Sequence, residues 1–148
     1  MPTKEPWPFS LDALVVDRDP GIRSEVKHAL TGMGFCVTET DDGRHAKAIV
    51  ENTPCLDLLV TETHPPQVGG QMLAESYLVA CPLGCVVLMS HHENVDAINA
   101  ESTARWAFLP REKAARLVRE AVKGMVYRRR AIVVTEADPS PTPKDGCC

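Results

Sequence analysis

The segment Leu14-Val15-Val16-Asp17-Arg18-Asp19-Pro20 decides the architecture. An apolar run ends abruptly in acidic residues, and a proline follows at once. Consecutive aliphatic residues without polar alternation are the pattern of a strand buried on both faces, as in a parallel sheet covered by helices. Asp19 is a good N-cap, and Pro20 suits a first helical turn, where no amide donor is needed. A strand therefore hands over to a helix within three residues and leaves carboxylates at the carboxyl edge of a sheet. That edge is where α/β proteins place metal and phosphoryl sites. Arg18 stands between two of these carboxylates, a permanent cation where such chemistry wants anions.

Working outward, Ile22, Val26, Ala29, Leu30 and Met33 recur at helical spacing, and Gly32 and Gly34 stop them. A short strand is predicted over 35–38 and a helix over 41–51, carrying Ala46, Ala48, Ile49 and Val50. A second apolar run, 56–61, follows Pro54, and a loop spans 63–70. Met72, Leu73, Tyr77 and Leu78 mark a third helix, and 85–89 an almost purely apolar strand ending at Ser90. A weaker helix covers 92–101, a last strand 106–109, and a long helix runs from 112 to about 130. The last helix carries Ala114, Leu117, Val118, Ala121, Val122 and Met125 on one side. Five strands alternating with helices predict an α/β fold: one doubly wound, five-stranded parallel sheet, with about two helices on one face and three on the other. Residues 1–10, with three prolines, are expected to be an irregular lead-in, 11–130 the domain, and 131–148 a disordered tail containing Pro139, Pro141 and Pro143.

The chain has 148 residues, 44% hydrophobic and 24% charged, which suits one soluble domain with its own core. A net charge of −4 gives no whole-chain footprint for nucleic acid, so no DNA partner is expected. No apolar run approaches a membrane span, and residues 1–8 lack a signal peptide's apolar core, so a cytoplasmic location is expected. Cys36, Cys55, Cys81 and Cys85 lie among apolar residues and read as small core side chains. Cys81 and Cys85 form no metal site without a second pair. Cys147 and Cys148 read as exposed thiols on the tail, with no role assigned.

At the strand ends the chain resembles the receiver domain of bacterial response regulators, the CheY-like phosphoacceptor module of two-component signalling. The resemblance covers roughly residues 11–125. It rests on Val15-Val16-Asp17-Arg18-Asp19-Pro20, on Asp57-Leu58-Leu59-Val60-Thr61-Glu62, on Pro66 and Gly70, on Val87-Leu88-Met89-Ser90, and on Phe108-Leu109-Pro110-Arg111. It implies the flavodoxin-like (βα)5 fold. In that family an aspartate ending the third strand accepts a phosphoryl group. An acidic pair after the first strand holds magnesium with it, and a lysine after the fifth strand contacts the phosphoryl group. A Ser or Thr ending the fourth strand and an aromatic on the fifth form a switch pair. In this chain Asp17 matches the first acid, and Ser90 and Phe108 match the switch pair. Arg18 replaces the second acid, Glu62 the phosphoacceptor, and Arg111 the lysine. Glu112 replaces the proline that usually follows the lysine, and His91 replaces a small residue.

These substitutions imply a degenerate phosphoacceptor pocket formed by Asp17, Arg18, Asp19, Glu62, Ser90, His91 and Arg111. No catalytic residue, enzyme activity or cofactor is expected, and magnesium binding is expected to be lost. Arg18 is expected to stand in for the metal, and Glu62 to pair with Arg18 or Arg111; the competing view makes Glu62 a surrogate for phosphoaspartate. Arg18 also has a competing role as a phosphate-binding arginine. His64, His91 and His92 are taken as solvated loop residues. The expected role is a stand-alone signalling module binding a protein partner, or a second copy of itself, through the fourth helix, fifth strand and fifth helix. Trp106 and Phe108 lie on that surface. Ser90 and Phe108 serve either as a retained switch or as ordinary structural residues. Two alternatives stand beside this one. Arg128, Arg129 and Arg130, next to Tyr127, would bind an anionic ligand such as a cyclic dinucleotide. Or the pocket would still be phosphorylated despite its substitutions.

Overall fold

A computed structural model describes residues 11–53, 56–63, 68–90 and 106–136, with the backbone alone described for 126–136. Strand β1 (Leu11–Val16) leads into helix α1 (Pro20–Gly32), and β2 (Phe35–Thr40) into α2 (Gly43–Asn52). Then come β3 (Leu58–Glu62), α3 (Gly70–Ala80), β4 (Cys85–Ser90) and β5 (Trp106–Pro110). A 3-10 turn (Arg111–Lys113) opens the last described helix, α4 (Ala114–Glu136). The strands form one sheet in the order β2-β1-β3-β4-β5, and every pairing is parallel.

The predicted doubly wound sheet is therefore present, and its two faces follow from side-chain alternation. Leu11, Ala13 and Val15 of β1 pack with Val26 and Leu30 of α1 and with Val118 and Val122 of α4. Leu14 and Val16 point the other way, toward Ala46 and Val50 of α2 and Leu73 and Tyr77 of α3. The unbroken apolar run of β1 is thus used on both sides. Tyr77 is wholly buried and its hydroxyl donates to the Leu56 carbonyl at 2.7 Å, so the one polar atom of this large core residue is satisfied.

The turn out of β1 forms as the sequence predicts. Asp19 accepts from the Gly21 N–H at 2.8 Å and the Ile22 N–H at 3.4 Å, capping α1 directly ahead of Pro20. At the other end Gly34 adopts φ 101°, a left-handed conformation in which a side chain would be strained.

Several boundaries differ. β2 continues to Thr40, two residues past its predicted end, because backbone pairing with Val15 and Val16 carries it on. α2 starts at Gly43, capped by Asp42, and β3 runs from Leu58 to Glu62. The last helix continues to Glu136 rather than giving way to a tail at 131. No glycine or proline lies between Ala131 and Glu136, and extending an existing helix needs no new nucleus. Cys36 is also corrected: it is half-buried and disulfide-bonded, not a core thiol. Cys81 and Cys85 are buried and free. The predicted lead-in 1–10, the helix over 92–101 and residues 137–148, including Cys147 and Cys148, lie outside the described residues. Among the described residues, no helix is long and apolar enough to cross a membrane.

Candidate functional site

β1 and β3 are neighbours, but the chain leaves β1 toward β2 on one side and leaves β3 toward β4 on the other. The connections diverge and open a crevice at the carboxyl ends of these two strands, the position where α/β sheets bind ligands. Asp17 and Arg18 follow β1 there, and Glu62 ends β3. Ser90 ends β4 beside them, and Arg111 follows β5.

Two ion pairs fill this crevice. Arg111, at 8% side-chain exposure, grips Asp17, at 0%. Its Nε donates to Asp17 Oδ2 at 2.9 Å, and its Nη2 donates to Oδ1. Oδ1 also accepts from the Asp19 N–H at 2.8 Å. Arg18 turns to Glu62: its Nε donates to Oε1 at 2.9 Å, its Nη2 lies 2.8 Å from the same oxygen, and its own backbone N–H donates to Oε2. The Glu62 side chain is almost wholly buried at 3% exposure, whereas Arg18 lies half in solvent at 53%. The forked geometry of each arginine matches the planar carboxylate it holds. All four carboxylate oxygens of Asp17 and Glu62 thus accept at least one hydrogen bond from the protein itself. Asp17 holds the Arg111 guanidinium charged and raises its pKa, with Glu62 and Asp19 adding to the field against the cost of burial.

Asp19 is part of the same turn, yet its carboxylate caps α1 and is exposed. Ser90 is buried at 5% exposure. Trp106 and Phe108 are half-buried on β5, with ring centroids 6.4 Å apart and planes 15° from parallel. Phe108 and Ser90, with Thr63, Gly69, Gln71, Met72 and Leu88, line a cavity of about 370 Å³ beside the crevice. His64, His91 and His92 lie outside the described residues, as do the side chains of Tyr127, Arg128, Arg129 and Arg130.

Arg23 is a member of the site that sequence reasoning missed. Its Nη1 donates to the Asp17 carbonyl and its Nε to Glu39 Oε1, both at 2.9 Å, while Lys27 lies 3.0 Å from Glu39 Oε2. A cation in the first turns of a helix opposes the helix dipole, and that mismatch was the available sign that Arg23 has a fixed partner. Gly70 also has a specific role. A Cβ there would sit 2.3 Å from the Glu62 carbonyl oxygen, so glycine lets α3 start directly against the end of β3.

No protein-family model matches the chain. It is 29% identical over 116 residues to the DNA-binding transcriptional regulator NtrC of Klebsiella pneumoniae, which takes in 74% of this chain and 24% of that protein. The match to NtrC of Escherichia coli K12 is 29% over 114 residues, 73% of this chain and 24% of the relative. The chain therefore spans about a quarter of the length of the curated relatives it matches. Among solved structures, a response regulator receiver protein from Sinorhizobium medicae superposes with a TM-score of 0.70 at 20% identity, over 81% of this chain and 97% of that one. A CheY-like receiver domain protein from Methanospirillum hungatei gives 0.68 at 19% identity, over 82% and 98%. The fold is that of the response-regulator receiver domain.

Proposed function

We propose that this chain is a two-component-type signalling receiver that works through phosphorylation-independent contact with a protein partner. One observation carries the proposal: every oxygen of Asp17 and Glu62, the two carboxylates at the crevice, is engaged by Arg111, Arg18 or a neighbouring backbone N–H. Magnesium takes hard oxygen ligands in a near-octahedral shell. Here the oxygens are occupied and two guanidinium groups stand beside them, so the residues present do not fit that ion. Phosphoryl transfer also needs a nucleophile free to attack and cations free to receive the developing charge. Glu62 is tied to Arg18, and Arg111 is committed to Asp17. The two arginines do internally what a metal and a lysine do in receivers of the usual pattern, and they hold the crevice in one state.

The partner surface we assign is β5 and α4, with Trp106 and Phe108 as its aromatic element; the helix expected over 92–101, which the sequence adds to that surface, lies outside the described residues. Both side chains are half-buried with their rings stacked, and tryptophan is enriched among the residues that anchor protein interfaces.

The test is an amide NMR spectrum of the purified chain before and after magnesium with beryllofluoride, a phosphoryl mimic. Unchanged resonances at Asp17, Glu62 and Ser90 are the expected outcome. Saturable shifts at these residues, spreading to Phe108, would overturn the proposal and favour a working phosphoacceptor.

A further inference from the structure

The cavity beside the crevice shares no residue with the two ion pairs. Its floor follows from strand register. Leu88 of β4 lies directly opposite Phe108 of β5, and both belong to the core on the α3 face of the sheet. Ser90 follows Leu88 by two residues, so the pleat turns it to the same face. One wall is the start of α3, where Gln71 and Met72 are exposed while Leu73, Ala74 and Tyr77 pack inward. Thr63 and Gly69 complete the lining. Gly69 carries no side chain, and a Cβ there would meet nothing within 4 Å, so the space beside it is open.

We infer that this cavity binds a small uncharged aromatic molecule that carries one hydroxyl or ring N–H group. Its volume of about 370 Å³ falls at the lower end of the ~300–1,000 Å³ range of small-molecule pockets, which suits a single ring or a fused pair. Charge is decided by the walls. None of these lining residues is charged, and an ion buried without a partner is costly. The neighbouring carboxylates offer a charged ligand nothing, because Asp17 and Glu62 are already held by Arg111 and Arg18.

The aromatic character follows from Phe108 and Met72. A ring in the cavity would pack on the Phe108 ring in an offset or edge-to-face arrangement. The Met72 thioether adds a sulfur–aromatic contact from the α3 side. The polar group meets the hydroxyls of Ser90 and Thr63. A hydroxyl donates once and accepts twice, so each holds a ligand group alongside a partner within the protein. Trp106 lies two residues before Phe108 on the same face and stacks with it, ring planes 15° from parallel. A ligand against Phe108 therefore presses on the aromatic pair we assign to the partner surface. Ligand binding stands without that assignment, and only its effect on a partner depends on it.

The test uses the full purified chain with labelled methionine and leucine methyl groups, titrated by NMR with three probes: indole, cyclohexanol and indole-3-acetate. Indole is expected to shift the Met72 and Leu88 methyl resonances saturably, with half-saturation at or below about 1 mM. Cyclohexanol, which lacks the aromatic ring, is expected to bind at least about fivefold more weakly. The anionic indole-3-acetate is expected to be weaker than indole by a similar factor or more. Met72 is 61% exposed, so Met72→Ala is expected to leave Tm unchanged while weakening indole about threefold, read at Leu88. Val79→Ala removes an apolar side chain of the same helix that is 83% exposed and outside the cavity, and is expected to bind indole as the parent does. Three results would overturn the inference: indole leaving Met72 and Leu88 unmoved up to its solubility limit, cyclohexanol or indole-3-acetate binding as tightly as indole, or Met72→Ala binding indole no more weakly than Val79→Ala.

Discussion

Arg111 and Asp17 stand 94 positions apart in the chain and meet as a two-point ion pair with both side chains buried. The pair ties the turn after β5 to the turn after β1, across the intervening β3 and β4. Breaking it from one side leaves a buried charge alone. Arg111→Met is therefore expected to destabilise the fold by about 3–5 kcal/mol, whereas Arg111→Met combined with Asp17→Leu recovers much of that loss. Urea denaturation of the two variants measures the difference. A single variant as stable as the parent would show that Asp17 finds another partner.

Arg18 and Glu62 are less symmetrical, because Arg18 keeps half its side chain in water and Glu62 keeps almost none. Arg18→Ala removes the guanidinium contacts but leaves the bond from the Arg18 backbone N–H to Glu62. The expected cost is about 1–3 kcal/mol, the range for a buried acceptor that loses part of its hydrogen bonding. Ionic strength supplies a check: added salt is expected to change this increment more than that of the Arg111 variant, since screening reaches the exposed pair first.

Gly70→Ala tests the packing under the site. The new methyl would lie 2.3 Å from the Glu62 carbonyl oxygen and 3.0 Å from Thr63 Cα, both backbone atoms that cannot swing aside. Overpacking of this kind costs about 1–3 kcal/mol. The start of α3 is expected to shift against β3, so amide resonances of Glu62 and Arg18 should move in the variant. Gly69→Ala, one residue earlier, meets nothing within 4 Å and serves as the control.

The fold was legible because its decisive signals are local. The apolar run 11–16, the Asp19-Pro20 start of α1 and the glycines after it each report on a few neighbouring residues, and their order leaves few topologies. The positions of Asp17, Arg18, Glu62, Ser90 and Arg111 at the carboxyl edge were legible for the same reason, since strand ends are easy to place; Asp19 caps α1 instead, and His91 lies outside the described residues. Which arginine holds which acid was not legible. Both Arg18 and Arg111 were candidates for Glu62, and only the packed sheet shows Arg111 closer to Asp17. Arg23 was missed because its partners are a backbone carbonyl and a residue on β2, 16 positions away. Cys36 was misread because a cysteine among apolar residues looks the same in sequence whether it is a thiol or half of a bridge.

Acid stability follows from Glu39. Its hydrogen bond with Arg23, then that with Lys27, lowers its pKa below the ordinary 4.5 despite some burial. A carboxylate with a depressed folded pKa adds stability above its unfolded pKa and loses it as pH falls through the folded one. Stability is therefore expected to decline as the pH drops below about 4.5, with Arg23 and Lys27 charged throughout. The increment is under ~1 kcal/mol, since the pairs lie near the surface. Glu39→Gln is expected to flatten this part of the urea midpoint against pH, and an unchanged acid limb would remove Glu39 as its source.

The internal ion pairs also predict how metal binding would return. Magnesium needs free carboxylate oxygens and no competing cation among its ligands. Arg18→Asp removes the cation over Glu62 and restores the second acid of the turn. Glu62→Asp draws that carboxylate back by one methylene, and Arg111→Lys exchanges a two-point fork for a single flexible ammonium. With His91→Ala added, the four changes should free the oxygens of Asp17 and of residue 62. Titration calorimetry is expected to show saturable magnesium binding in the fourfold variant, at least tenfold tighter than in the parent, a gain of ~1.4 kcal/mol. Each arginine holds its own acid, so either single arginine reversal should recover only part of it. If the fourfold variant folds and binds no magnesium, the two ion pairs are not what closes this crevice to the ion.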